Sequence, residues 1–215
     1  MSLWVILPVK PLNRAKSRLA DILSPEQRYD FALAMFQNIL RITQQASQIT
    51  GTLVISRDTK VLALAREAGA KTVQESNRSD LNPALTRATE VVKAWGGDAV
   101  LILPADLPFI TTDDIENIIE MGTETPSVVL ATDRVQDGTN ALLVRPAGLI
   151  DYNYGEGSFT RHLQAAQRAG ANVQYYMSDS VTLDIDTPAD LKLYNRWLKL
   201  EQHLLPPFLP DNLTA

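Results

Sequence analysis

The chain has 215 residues, a formal charge of −5 and 45% hydrophobic residues, enough to build one ordinary globular domain with a sizeable core, and unlike a disordered segment. It holds no Cys and two His, His162 and His203, without metal-ligand spacing. Disulfides, iron–sulfur clusters, thiolate zinc sites and cysteine nucleophiles are thereby excluded, and any metal must be held by oxygen, which points to Mg²⁺ or Mn²⁺. The acidic balance speaks against nucleic-acid binding. The apolar start is too short, and too soon followed by charge, for a secretory signal or a membrane span, so a cytoplasmic protein with no membrane partner is expected.

Apolar runs predict strands at residues 3–8, 51–56, 71–75, 98–103, 127–131, 140–144, 173–177 and 181–184. Helix starts fall between them. Ser24, Pro25, Glu26 and Gln27 form a capping box with Pro at the first helical position, opening a helix to about Ser47. Asp58 is placed to cap a helix over 59–68, and Asn82-Pro83 opens one over 83–95. Thr111 to Asp114 start a helix to about Glu120, and Ser158 and Thr187-Pro188 mark two more starts. The alternation predicts an α/β fold with a mostly parallel sheet flanked by helices over residues 1–200, followed by a Pro-rich tail over 201–215. That tail is expected to wrap the domain, reach a second copy in a homodimer, or fray. Region 121–157 has two strands and no helix between them, which predicts a small antiparallel insertion over the carboxyl edge of the sheet. Ligands in such folds bind beyond the carboxyl ends of the strands, so the loops after the first, fourth and sixth strands should converge.

The first of these loops is basic. Val9 to Ala20 carry Lys10, Arg14, Lys16 and Arg18 and no acid, a concentration of positive charge that suits a polyphosphate. The loop contains no Gly, so it is neither a P-loop nor a dinucleotide fingerprint. Phosphate contact would come from the side chains of Lys10, Lys16 and Arg18, with Arg14 left to solvent. After the fourth strand, Asp106 stands between Pro104 and Pro108, at a strand end where a carboxylate serves either function or a simple turn. Asp184 and Asp186 share one face of an extended segment, and one of them, Asp186 ahead of Asp184, could close a carboxylate pair with Asp106 around a divalent ion. Asp186 is equally well placed to start the helix that follows. The loops Asp137-Gly138-Thr139-Asn140 and Tyr154 to Phe159 are small and polar. The second opens a helix whose N–H groups and Ser158 hydroxyl suit a phosphate or carboxylate, with Arg161 one turn further in. His162, in the same helix, reads as a packing or capping residue before a catalytic one.

Taken in order, Pro8-Val9-Lys10-Pro11, Lys16-Ser17-Arg18-Leu19, Pro104 to Pro108, Asp137 to Asn140, Gly155 to His162 and Asp184 to Pro188 resemble the CofC/FbiD family, the guanylyltransferases of coenzyme F420 biosynthesis. The resemblance implies a single-domain nucleotidyltransferase fold, GT-A-like, as in nucleotide-diphospho-sugar transferases. It implies transfer of GMP from GTP to phosphoenolpyruvate, 2-phospho-L-lactate or 3-phosphoglycerate, with release of pyrophosphate. It also implies a GTP site at Lys10, Lys16, Arg18, Leu81 and Asn82, a metal at Asp106 with a partner, for which Asp186 is the candidate, and acid binding at Thr139, Gly155 and Ser158, with Asn140 an alternative to Thr139. Glu156 places an anion beside this anion site unless it points outward or pairs with Arg161.

The attacking phosphate is largely ionised at pH 7, its second pKa being about 6, so no general base is required. The difficulty is electrostatic. At an effective dielectric of about 20, two unit charges 4 Å apart interact by about 4 kcal/mol, so two or three placed cations decide whether two polyanions can meet. Rival expectations are a molybdopterin or sugar-phosphate nucleotidyltransferase on the same fold, and a non-catalytic module that senses GTP.

Overall fold

The computed structural model describes residues 2–75 and 80–200. The Pro-rich tail and His203 lie outside the described residues. Seven strands form one sheet: β1 (Leu3–Val9), β2 (Gly51–Ser56), β3 (Lys71–Gln74), β4 (Ala99–Ile102), β5 (Ser127–Thr132), β6 (Thr139–Arg145) and β7 (Asn172–Tyr175). Their spatial order is β3-β2-β1-β4-β6-β5-β7. β1 is central, with Val5 paired to Thr52 of β2 on one side and Leu101 of β4 on the other, both parallel. β6 alone runs antiparallel, between β4 and β5.

The antiparallel element expected in 121–157 is the β5–β6 hairpin, and it lies inside the sheet instead of over its edge. Asn140 and Ala141–Arg145 could not face water at an edge, since all six are buried; a strand buried on both faces belongs within the sheet. A consequence follows for the site. Because β6 is reversed, its first residues, not its last, lie at the carboxyl edge of the parallel strands, and the segment after Arg145 must return along the sheet to reach it.

Helices cover both faces: α1 (Pro25–Gln45), α2 (Thr59–Glu67), α3 (Leu81–Ala94), α4 (Thr112–Met121), α5 (Ser158–Arg168), α6 (Asp179–Thr182) and α7 (Pro188–Leu200). One core packs Val5, Leu7, Leu101 and Leu143 against Phe36 and Ile39 of α1 and Ile115 and Ile118 of α4. The opposite core packs Ile6, Ile102, Leu130 and Leu142 against Leu85 and Val92 of α3 and Ala166 of α5. A third cluster joins Leu19, Leu23, Phe31, Phe109, Leu183, Ile185 and Tyr194. It holds three chain segments, the basic loop, the β4 loop and the residues before α7, against one another.

The caps are local and predictable. Ser24 Oγ accepts from Gln27 N while Gln27 Oε1 accepts from Ser24 N, at 3.2 and 2.8 Å. Asp58 accepts from Lys60 N at 2.9 Å. α3 starts at Leu81 rather than at Pro83, because Pro is tolerated anywhere in the first turn, where its missing N–H has no intrahelical partner. Residues 181–184 are not a strand. α6 occupies Asp179–Thr182, started by Ser178, and Leu183 to Asp186 run extended without a ladder. The predicted alternation nevertheless survives: Leu183 and Ile185 are buried in the third cluster, and Asp184 and Asp186 face the other way, into the pocket.

Candidate active site

At the carboxyl edge lies a pocket of about 410 Å³ bordered by the loops after β1, β2, β3, β4 and β5 and by the start of α5. The basic loop is pinned at both ends. Leu12 and Leu19 are buried, and Leu12 N donates to Asp58 Oδ2 at 3.1 Å. Between these anchors Lys16 adopts a left-handed backbone, φ +53°, a conformation that costs a non-Gly residue about 1–2 kcal/mol. The turn sends its side chain inward. Only 5% of it is exposed, and Nζ lies 3.1 Å from Asp106 Oδ2 and 3.1 Å from Asp186 Oδ1. Asp106 and Asp186 are themselves brought together by the backbone, since Ile185 N donates to the Asp106 carbonyl at 3.3 Å.

The charges are strongly coupled. Burial acts to lower the Lys16 pKa, but Asp106 and Asp186 outweigh it and raise it above its ordinary value. Burial would raise Asp186, yet Lys16 chiefly, with Lys10 and Arg18, holds it below the usual carboxylate range. Asp184 is pushed up to about 6 by burial and by the neighbouring Asp106 and Asp186, which prevail over its hydrogen bonds. Three carboxylates crowd one pocket wall around a single buried ammonium.

This donor set fits a hard divalent cation. Among the described residues no three His, Cys, Asp or Glu close on one point. Two converging carboxylate oxygens are, however, what a Mg²⁺ ion uses when phosphates complete its shell. Asp106 and Asp186 would be its protein ligands, beside the Lys16 ammonium that bonds one oxygen of each.

The remaining cations differ. Lys10 is exposed on the pocket wall. The Arg18 side chain is 73% exposed, off the wall, with Nη1 3.8 Å from Asp186. Leu81 lines the pocket, whereas Asn82 does not. Asn82 Nδ2 donates to the Tyr154 carbonyl at 3.3 Å and Oδ1 accepts from Tyr154 N at 2.7 Å. Its amide is a brace that ties α3 to the loop before α5.

Elsewhere on the pocket wall, Asp133 shapes the β5–β6 turn by accepting from Asp137 N and Gly138 N, each at 2.9 Å. A Cβ on Gly138 would meet that carboxylate at 2.8 Å, which is why Gly stands there. Asp137 then joins the turn to α5, its carboxylate accepting from Gly157 N at 2.9 Å and its carbonyl from Phe159 N at 3.0 Å. Ser158 N donates to the Gly155 carbonyl at 3.0 Å. The N–H groups of residues 157, 158 and 159 are therefore spent inside the protein and are not the anion cradle that the helix start predicts. Nor does Ser158 cap α5; the cap is Gly157 in a left-handed conformation, φ +68°. Thr139 and Ser158 line the pocket, and their hydroxyls lie 3.2 Å apart.

Asn140 is buried in the pocket wall, with Nδ2 donating to the Val181 carbonyl at 2.9 Å, so it fastens α6 to β6. Gly155 lines the pocket at φ +119°. Arg161 is not on the wall. Its Nε and Nη2 donate to the Asn153 carbonyl at 3.2 and 3.0 Å, so it stiffens the loop instead of reaching an anion. Glu156 is exposed and does not line the pocket.

Residues 57 and 75 escaped the sequence reading. Arg57 Nε and Glu75 Oε2 form a 3.1 Å ion pair on the pocket wall. Each directly follows a parallel strand, β2 or β3, so the strand-end rule that singled out Asp106 would have found them.

A parallel-centred sheet with a pocket of this size at its carboxyl edge, and a cation between two carboxylates on its wall, suits a nucleotidyltransferase. The fold agrees. A nucleotidyl transferase from Methanothermobacter superposes with TM-score 0.67 at 15% identity, covering 93% of this chain and 99% of that one. A 4-diphosphocytidyl-2C-methyl-D-erythritol synthase from Anaerococcus prevotii does so with TM-score 0.62 at 8% identity, covering 92% and 96%. Residues 3–194 match the family model described as "Guanylyl transferase CofC like", and the chain belongs to that family. Its relatives include a phosphoenolpyruvate guanylyltransferase of Rubrobacter xylanophilus, 39% identical over 89% of this chain and 92% of that protein. Another is a 2-phospho-L-lactate guanylyltransferase of Methanocaldococcus vulcanius, 38% identical over 87% and 81%.

Proposed function

We propose that this chain transfers GMP from GTP to a phosphorylated three-carbon acid, phosphoenolpyruvate, 2-phospho-L-lactate or 3-phosphoglycerate, in coenzyme F420 biosynthesis. The observation that carries the reading is Lys16 held 3.1 Å from both Asp106 and Asp186 on the wall of a pocket that Thr139 and Ser158 also line. Two anions can then lie end to end, the triphosphate over the basic loop and the acid over the hydroxyls. Bacterial and archaeal relatives named for two of these acids support the substrate class. The same reading expects Mg²⁺ or Mn²⁺ and a cytoplasmic setting; no helix among the described residues is long and apolar enough to cross a membrane.

In the reaction a phosphate oxygen of the acid forms a bond to the α-phosphorus of GTP. The bond from that phosphorus to the bridging oxygen of the β-phosphate breaks, and pyrophosphate leaves with the electron pair. Lys16 uses two of its three N–H groups on Asp106 and Asp186 and keeps one for a phosphate oxygen. Lys10 and Arg18 add positive potential at the mouth. Asp106 and Asp186 would hold a divalent ion, which would neutralise the charge that builds on the phosphates. Thr139 and Ser158 orient the acid by hydrogen bonds, and Asn82 and Arg161 keep their loop in place.

The test is pyrophosphate release from each of the four nucleoside triphosphates with each of the three phospho-acids and with a sugar phosphate. Release is expected with GTP and at least one acid. No release with any pair, or release only with a sugar phosphate, overturns the assignment.

A further inference from the structure

His162 is fully buried one turn into α5, directly behind the two hydroxyls. Its Nε2 lies 2.9 Å from Asn153 N and its Nδ1 lies 3.0 Å from Thr139 Oγ1. A backbone N–H can only donate, so Nε2 must carry its lone pair there. The Tyr154 ring packs against the imidazole at a steep angle, 68° between planes with centroids 4.8 Å apart. Burial and the nearby Arg161 charge push the His162 pKa down to about 4, so the ring is neutral at pH 7. A neutral ring with Nε2 accepting carries its proton on Nδ1. The only partner within reach of that proton among the described residues is Thr139 Oγ1.

The direction of this bond decides what the pocket can offer. Thr139 and Ser158 hold two hydroxyl protons between them. Were Nδ1 an acceptor, Thr139 would spend its proton on the ring and leave one for an anion. With Nδ1 as donor, neither proton is spent on the ring, and both can turn to the pocket when an anion arrives. This matters because the N–H groups of residues 157, 158 and 159 are already committed within the protein. We propose that His162 is a positioning residue that, by donating from Nδ1 to Thr139, keeps both the Thr139 and Ser158 hydroxyls available as donors to the phospho-acid. The proposal rests on the reading that this end of the pocket holds the acid.

Asn and Gln divide the two functions of the ring. An Asn side chain carries an amide N–H near the Nδ1 position and keeps the donor to Thr139, while a Gln side chain reaches the Nε2 position with an acceptor for Asn153 N and leaves the Thr139 oxygen to take its hydrogen bond from Ser158 Oγ, 3.2 Å away, so that one hydroxyl proton is lost to the acid. Steady-state kinetics of the full chain should show H162Q raising KM for the acid about tenfold or more, the loss expected for a charge-assisted hydrogen bond. KM for GTP should stay within about twofold of wild type, because that end of the pocket keeps its contacts. H162N should return KM for the acid most of the way to wild type. Equal KM increases in H162N and H162Q, or none in H162Q, overturn the relay, provided S158A raises KM for the acid. An S158A and a T139A enzyme both with wild-type KM for the acid overturn the acid-site reading, and the relay with it. If neither His162 variant folds, nitrogen NMR of the wild-type imidazole decides: a protonated Nδ1 and a bare Nε2 are expected, and a protonated Nε2 overturns the proposal.

Discussion

Lys16 Nζ and Asp106 Oδ2 lie 3.1 Å apart although 90 positions separate them in the chain, and the same ammonium meets Asp186 across 170 positions. A surface loop cation does not behave in this way. Replacing Lys16 by Met leaves Asp106 and Asp186 facing each other without a counter-charge, so both function and fold are affected. Turnover should fall by about two orders of magnitude, as for loss of one preorganised charge stabiliser. Stability should fall by on the order of 2 kcal/mol, less than for a fully buried pair because both carboxylates are partly exposed. Urea unfolding beside pyrophosphate-release kinetics measures both. Arg18→Ala, by contrast, removes a side chain that is 73% exposed and should leave stability within about 0.5 kcal/mol.

Asp106→Asn keeps the side chain's shape and removes its charge. The turn after β4 should survive, since Ile185 N bonds the Asp106 carbonyl and not its carboxylate, while turnover collapses. Asp186→Asn should behave alike. The double variant should be little worse than either single one, because groups acting on one ion are non-additive. Activity that withstands EDTA, or an Asp106→Asn enzyme with near-normal turnover, counts against a shared metal.

Asn82→Ala separates a brace from a nucleotide ligand. Both amide atoms of Asn82 are engaged by the Tyr154 backbone, so the loss should loosen residues 154–158 and raise KM for the acid more than KM for GTP. The two lost hydrogen bonds should cost about 1–3 kcal/mol of stability. A selective rise in KM for GTP would restore Asn82 to the nucleotide.

Asp114 ties α6 to α4. Its carboxylate accepts from the Thr111, Tyr176, Ser178 and Ser180 hydroxyls, at 2.7, 2.7, 2.8 and 2.7 Å. Burial would raise its pKa, but these donors together hold it below its ordinary value of 3.8. A carboxylate depressed in the folded state adds stability that is complete above its unfolded pKa and is lost as pH falls through the folded one. Wild-type stability should therefore decline below about pH 4, and Asp114→Asn should be less stable at neutral pH with a shallower decline on acidification. Thermal melts from pH 7 to pH 3 check this; parallel curves for the two proteins would show that Asp114 contributes no such linkage.

Local order was legible in the chain because it is written within a few residues. Ser24 with Gln27 and Thr111 with Asp114 each close a capping box over three positions, and the apolar runs of β1 and β4 announce a buried parallel sheet by themselves. That order extends to which loops carry the chemistry: a basic loop after β1 and a carboxylate after β4 follow from strand ends, and the ordered motifs point to the guanylyltransferase family that residues 3–194 match. Tertiary structure alone decided the partners. Lys16 goes to Asp106 and Asp186 rather than to solvent because the third hydrophobic cluster brings three distant segments together. Asn82 becomes a brace, and the helix-start N–H groups are consumed by Asp137 and Gly155, because β6 runs antiparallel inside the sheet and carries its hairpin turn to α5. Caps and periodicity depend on neighbours up to four residues away, whereas a polar side chain's bond depends on which segments the packed core leaves beside it, and that distance is absent from the order of the residues.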